Sequence, residues 1–321
     1  MGIADKYFRE TCEKIIYEGI SSEGKDVRAK WEDGTPAHTK KIFGVVNRYD
    51  IQKEFPMLTL RKVFFKSAVD ELLWIWQKKS NNIHELRSKI WDQWADDSGS
   101  IGSAYGYQVG IKYRVSGVRT DALRMMFNEF ALVPVKFPDC PNRITDEVLR
   151  KFHAVLNLHD NSLYMDQIDK ALYDLLFNPT SRRILLTTWN PQDNVEMHLQ
   201  PCAYSLTLNV CGNRLNAILN QRSQDMLAAN GWNVAQYAAF VMLLAKVSGL
   251  VPGELIHVIS DCHIYDKHIP LVKELISLPE YESPKVTIDS NIRNFYDCTP
   301  DSFKVENYKY NDFNHSISIA V

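Results

Sequence analysis

Two spacings of apolar residues divide the chain. Residues 3–19 repeat their apolar positions at helical spacing and predict an amphipathic helix. The stretch KVFFKSAVDELLWIWQ (62–77) predicts a second, strongly apolar helix. In VAQYAAFVMLLAKV (234–247) apolar residues cover nearly every face, which predicts a helix buried all round. Strand-like runs occupy ILLTTW (184–189), AYSLTLNV (203–210) and RLNAILNQRS (214–223). Cys211-Gly212-Asn213 joins the last two as a hairpin turn. ELIHVISDCHIY (254–265) predicts another strand, with Pro252-Gly253 as the turn before it. VKELISL (272–278) is helical, and the C-terminus returns to short alternating strands. Helices and antiparallel strands in mixed order predict an α+β fold built on one main sheet. Residues 111–163 depart from this pattern. They hold few clear strands, a Pro-rich FPDCPNR (137–143) and a helix-like TDEVLRKFHAVL (145–156). They read as an insertion or small subdomain in a chain that is otherwise one domain over 1–321.

Composition narrows the function classes. The 321 residues are 45% hydrophobic, enough for a sizeable core. A net charge of -2 offers no nucleic-acid stripe and no membrane patch, so the expected ligand is small. The six cysteines form no C-x-x-C pair, which argues against structural zinc, and their wide scatter is unlike a disulfide-stapled domain. The histidines show no metal-ligand spacing. No signal peptide is recognisable, and Lys6 stands where myristoylation at Gly2 needs Ser or Thr. The 234–247 run is too short to span a bilayer and is broken by Gln236 and Lys246. A soluble, cytoplasmic protein is expected, in which the Asn314 glycosylation triplet has no meaning.

Several residues carry chemistry. Cys202 follows Pro201 at the start of a strand and is either a packing residue or a nucleophile. Glu71 shares a helix face with Phe64, Ser67, Ala68, Trp74 and Ile75. Either it reaches water at the helix margin, or it is buried with a raised pKa and can donate a proton. Arg182 and Arg183 are adjacent at a loop end, where they are solvated charge or a fork for an oxyanion. Arg222 sits among polar residues at a strand end and needs a phosphate or thiolate partner if buried. Asn233 starts the buried helix, as its N-cap or as a carboxamide facing a ring edge. His263 and Tyr265 alternate along one strand and point the same way, toward a sugar or into packing. His257, Cys211 and Cys262 read as structural.

Together these blocks resemble the thymidylate synthase family. SRRILLTTWNPQDNVEMHLQPC follows the family order of paired Arg, strand, Trp-Asn, spacer and Pro-Cys. QRSQD, Asn233 and DCHIY follow downstream in order. Upstream, FPMLTLRKVFF, ELLWIW and IWDQWADDSGSIGSAYGYQ match, as does the terminal IAV. The similarity covers nearly the whole chain except about 111–163, where this protein is longer.

The resemblance implies a large mixed sheet flanked by helices, paired through that sheet into a homodimer whose subunits donate Arg182 and Arg183 to each other's sites. It implies reductive methylation of dUMP at C5 by 5,10-methylenetetrahydrofolate, giving dTMP and dihydrofolate through a Cys202 adduct at C6, with no metal. Glu71 would run the proton network near O4, Tyr105 would serve C5 proton removal, and Arg222 would lower the thiol pKa. Arg28, Arg182, Arg183, Arg222 and Ser223 would bind phosphate, with Gln221 and Asp225 also on the substrate side. Asn233 would read N3–H and O4 of uracil, and His263 and Tyr265 would hold the ribose. Trp91, Asp225, Arg61 and Ala320 would face the folate. Departures are Ala203 for a common His, LAANGWN (227–233) for Leu-Gly-x-Pro-Phe-Asn, Ser260 for a Gly and Arg61 for a Lys. A uridylate-type hydroxymethylase of the same lineage is the alternative. A degenerate nucleotide- or RNA-binding member is disfavoured by the intact Cys202, Glu71, Tyr105 and Asn233.

Overall fold

In chain order the elements are α1 (Ile3–Glu18), β1 (Ile20–Ser21), β2 (Thr39–Asp50), α2 (Phe65–Trp76), α3 (Gly106–Gly110), β3 (Lys112–Arg114), β4 (Val155–Asn157), β5 (Ser162–Asp166), α4 (Gln167–Phe177), β6 (Ile184–Thr187), β7 (Ala203–Cys211), β8 (Arg214–Asp225), α5 (Gly231–Val247), β9 (Val251–Tyr265), α6 (Ile269–Ser277), β10 (Lys285–Ile288) and β11 (Phe303–Glu306). The computed structural model describes residues 2–115, 151–157 and 162–321. Six strands form one sheet in the order β1-β2-β9-β8-β7-β6. All neighbours are antiparallel except β8 and β9, which run parallel. Helix α5 makes the crossover that a parallel pair requires. It is apolar on nearly every side because it packs between the sheet and α2; Phe240 is fully buried, with its ring centroid 5.0 Å from Trp76.

One face of the sheet points into this core. Leu215, Ala217, Leu219 and Gln221 on β8, and Leu255, His257 and Ile259 on β9, are buried in strict alternation. The opposite face carries an open apolar row. Leu185 pairs with Thr207, Thr207 with Ile218 and Ile218 with Ile256, and Leu185 and Ile218 are exposed.

Three expectations are corrected. Pro252-Gly253 is no turn: both lie inside β9, where the register with β8 shifts beside Leu215. Gly253 is needed there, since a Cβ would lie 2.3 Å from Asn216 Oδ1. That oxygen also accepts from the Glu254 N–H at 2.9 Å. The sheet is thus mixed, as the family resemblance implies. The helix-like reading of 145–156 fails at its end, where Val155–Asn157 is a strand paired with β5. Tryptophan 189 lies beyond β6, which ends at Thr187. Residues 116–150 and 158–161, with the Pro-rich 137–143 among them, lie outside the described residues. The described strands of the 111–163 segment form a separate sheet, β3-β5-β4. Lys79, just past α2, ties that sheet to the core by bonding Asp166 (2.6 Å), Asp169 (3.3 Å) and the Tyr296 hydroxyl (2.8 Å).

Candidate active site

Cys202 sits where the chain enters β7, and two neighbouring elements fix its backbone. Its N–H donates to the Tyr105 hydroxyl at 3.2 Å, and its carbonyl accepts from the Arg222 N–H at 2.9 Å. The Arg222 guanidinium is held by the carbonyls of Pro201 (3.0 Å) and Gln200 (2.7 Å), which leaves Nη2 3.9 Å from the Cys202 sulfur. Burial pushes the thiol above the ordinary thiol range, and Arg222 and then Arg28 pull against it without prevailing. The expected lowering by Arg222 is thus present but outweighed by desolvation.

Tyr105 precedes α3 with φ +46, a strained backbone for a tyrosine. Next to it, Gly106 is pressed against Ser80: a Cβ would lie 2.0 Å from the Ser80 carbonyl oxygen. The Tyr105 ring lies 4.9 Å from that of Trp91. This contact leads to Glu71, which is buried on α2. Its Oε2 accepts from Trp91 Nε1 (2.9 Å), and its Oε1 accepts from Gln236 Nε2 (2.9 Å) and Trp232 Nε1 (3.3 Å). Desolvation raises the carboxyl pKa more than these three donors lower it. The buried reading of Glu71 holds. The sequence gives no sign of the roles of Trp232 and Gln236: Gln236 shows only as a polar break in an apolar run, and its partner Glu71 is 165 residues away.

Asn233 is the third residue of α5; the N-cap position belongs to Asn230, so the capping reading is corrected. The Asn233 Oδ1 accepts from Gln221 Nε2 (3.3 Å) and Gln224 Nε2 (3.4 Å). Asp225 caps the π-helical turn at Met226–Asn230, with Oδ1 accepting from the N–H groups of Leu227 (2.9 Å) and Ala228 (3.1 Å). Arg61 donates to the Leu227 carbonyl of the same turn. His263 and Tyr265 do share a side, with rings 5.1 Å apart, and His263 Nδ1 is 2.9 Å from Asp261 Oδ1. Ser223 contributes its carbonyl to Gln221 Nε2 at 3.0 Å. Ala320 adjoins Val321, whose backbone exchanges two hydrogen bonds with Lys30 in the Arg28 loop. Arg28 is exposed in that loop, yet its charge acts on both Cys202 and Tyr265. Arg182 and Arg183 stand apart, exposed at the entry of the edge strand β6.

Residues 6–321 match the family model for thymidylate synthase. The thymidylate synthase of Bacillus mojavensis is 38% identical over 312 residues, 96% of each chain. The chain belongs to the thymidylate synthase family. The thymidylate synthase of Bacillus phage phi3T is 37% identical over the same share. The solved structure of a thermostable thymidylate synthase A from Bacillus subtilis aligns with a TM-score of 0.79 and 35% identity, covering 99% of both chains. Membership in the thymidylate synthase family makes the protein a methyltransferase, with dUMP as acceptor and 5,10-methylenetetrahydrofolate as co-substrate. Gln224 Oε1, Asn230 Nδ2 and Arg61 Nε are buried without protein partners along 224–230 and its neighbour Arg61. Among the described residues, no group of His, Cys, Asp and Glu could hold a metal, and no helix is long and apolar enough to cross a membrane.

Proposed function

We propose that the reductive methylation of dUMP to dTMP runs here through Cys202, Glu71, Tyr105, Arg222 and Asn233 in the roles their surroundings support. One observation carries the reading. Cys202 sits beside a fixed guanidinium, and a buried carboxyl enclosed by three donors reaches the same wall through Trp91 and Tyr105. The folate co-substrate supplies the one-carbon unit and the hydride. Arg222 steadies the thiolate as the sulfur bonds to C6, and the electron pair moves through C5 toward O4. Glu71 stabilises charge at O4 by moving a proton toward it, through ordered water. Tyr105 serves removal of the C5 proton. Asn233 aligns the base, while Arg28, Arg222 and Ser223 receive the phosphate and His263 and Tyr265 the ribose. Trp91, Arg61, Asp225 and Ala320 line the folate side. The chain is one domain over 1–321 with an insertion at about 111–163. The reaction's soluble substrates suit a cytoplasmic protein, which cell fractionation checks.

The thymidylate synthase names of the relatives favour a methyl over a hydroxymethyl product. Mass spectrometry after incubation with dUMP and 5,10-methylenetetrahydrofolate is expected to show a methylated nucleotide and one dihydrofolate per turnover. A product carrying an extra oxygen without dihydrofolate selects the hydroxymethylase instead.

The homodimer is part of the same proposal. The exposed row of Leu185 and Ile218 on the outer sheet face gives a second copy something to cover, and Arg182 and Arg183 open that edge. An Arg182→Ala/Arg183→Ala protein and a Cys202→Ser protein are each expected to be inactive. Allowing their subunits to exchange is expected to restore turnover, because one mixed site keeps both the thiol and the arginines. No recovery in demonstrably mixed dimers rules out the donation.

A further inference from the structure

We infer that His257, which lies behind the base site, sets the preference for uracil over cytosine by holding the Gln221 carboxamide in one orientation. The inference rests on the reading of Asn233 as the group that faces the base. The argument begins with Ser223. Its carbonyl can only accept, so the Gln221 atom 3.0 Å away is the amide nitrogen. The Gln221 oxygen therefore faces His257, and Nε2 of that ring, 2.8 Å away, must carry the proton. His257 is fully buried, and its Nδ1 has no partner, consistent with a neutral Nε2–H ring. Burial pushes its pKa down to about 3, so the ring stays neutral near pH 7.

With Gln221 pinned at both ends, its second N–H is committed to Asn233 Oδ1, and Gln224 directs an N–H to the same oxygen. Asn233 cannot flip without turning its NH2 toward two other NH2 groups. Its carboxamide therefore presents a fixed order of acceptor and donor. Uracil, with N3–H and O4, matches one order, whereas cytosine, with N3 and a 4-amino group, needs the reverse. His257 acts as a positioning residue, two hydrogen bonds removed from the base.

The test compares dUMP and dCMP binding in wild-type protein and two variants. His257→Leu removes the donor and leaves Gln221 Oε1 buried and unpaired; the dUMP-over-dCMP preference is expected to narrow by about tenfold or more. The loss falls on the KM for dUMP, with the KM for folate unchanged. His257→Gln, whose amide N–H overlays the ring Nε2–H, is expected to recover most of the preference. A purely structural role predicts lower thermal stability in both variants with the preference intact, and that result overturns the inference. If His257→Leu does not fold, imidazole ¹⁵N shifts of the wild-type protein decide. An Nδ1–H ring at neutral pH refutes the inference, and an Nε2–H ring supports it. Failure of the underlying reading looks different, because wild-type protein would then show no preference for dUMP at all.

Discussion

Cys202→Ser is expected to reduce tritium release from C5-labelled dUMP by roughly four orders of magnitude or more. The environment explains the size of the loss. Burial already holds the Cys202 thiol above its ordinary pKa, and Arg222 at 3.9 Å recovers only part of that cost. A serine hydroxyl starts far less acidic than a thiol, so the same guanidinium cannot generate a useful alkoxide. Binding is expected to survive, because Gln221, Asn233 and Arg222 keep their anchors on Ser223, Gln224 and the 200–201 carbonyls. Equilibrium dialysis of dUMP against the serine protein checks this, and unchanged tritium release removes Cys202 from the mechanism. The raised thiol pKa fixes a sign as well. Iodoacetamide is expected to alkylate Cys202 slowly at neutral pH and faster as pH climbs past the ordinary thiol range. Arg222→Ala is expected to shift that rise to still higher pH.

Where the pattern is local, the sequence reveals the fold. Helices α2 and α5 announce themselves because one packed environment sets every position along them. The β7–β8 hairpin is legible from its Cys-Gly-Asn turn. Strand β2 carries no comparable signal: Lys40, Lys41 and Arg48 interrupt it, Gly44 adopts φ +76, and Phe43 and Val46 point outward. Helix α4 is obscured because Asp169 and Asp174 are buried on its inner side, where a period argument expects apolar residues. Asp169 is buried there through Lys79 and Tyr296, partners distant in sequence. The site divides in the same way. Glu71 is suspect from its own helix face, but the three donors that enclose it come from Trp91, Trp232 and Gln236 on other segments. His257 looks structural until Gln221 is seen to face it across the parallel β8–β9 pair, which a supposed Pro-Gly turn conceals.

Glu71→Gln is expected to lower kcat/KM by about 10²–10⁴ while leaving the dUMP dissociation constant nearly unchanged. The amide keeps the size of the carboxyl but cannot release or accept the proton. It also fits the cage imperfectly. With its oxygen toward Gln236 and Trp232, its NH2 must face the Trp91 N–H, at a cost of roughly 1–3 kcal/mol. The pH dependence separates the two effects. Desolvation raises the folded pKa of Glu71, so its proton persists to higher pH than in the unfolded chain. Below the unfolded pKa, both states are protonated and that contribution to stability is fully present. As pH rises through the folded pKa, the contribution is lost. The Gln variant has no proton to lose, so its melting temperature should gain on wild type across that window and then level off. The donor mismatch at Trp91 shifts the whole difference by a constant and leaves the slope alone. The catalytic advantage of wild type over the variant should shrink across the same window, as the proton that Glu71 contributes disappears. A melting difference that stays flat from pH 4 to 8 would mean that Glu71 is not protonated above the ordinary carboxyl range, and its role as proton carrier near O4 would fall with it.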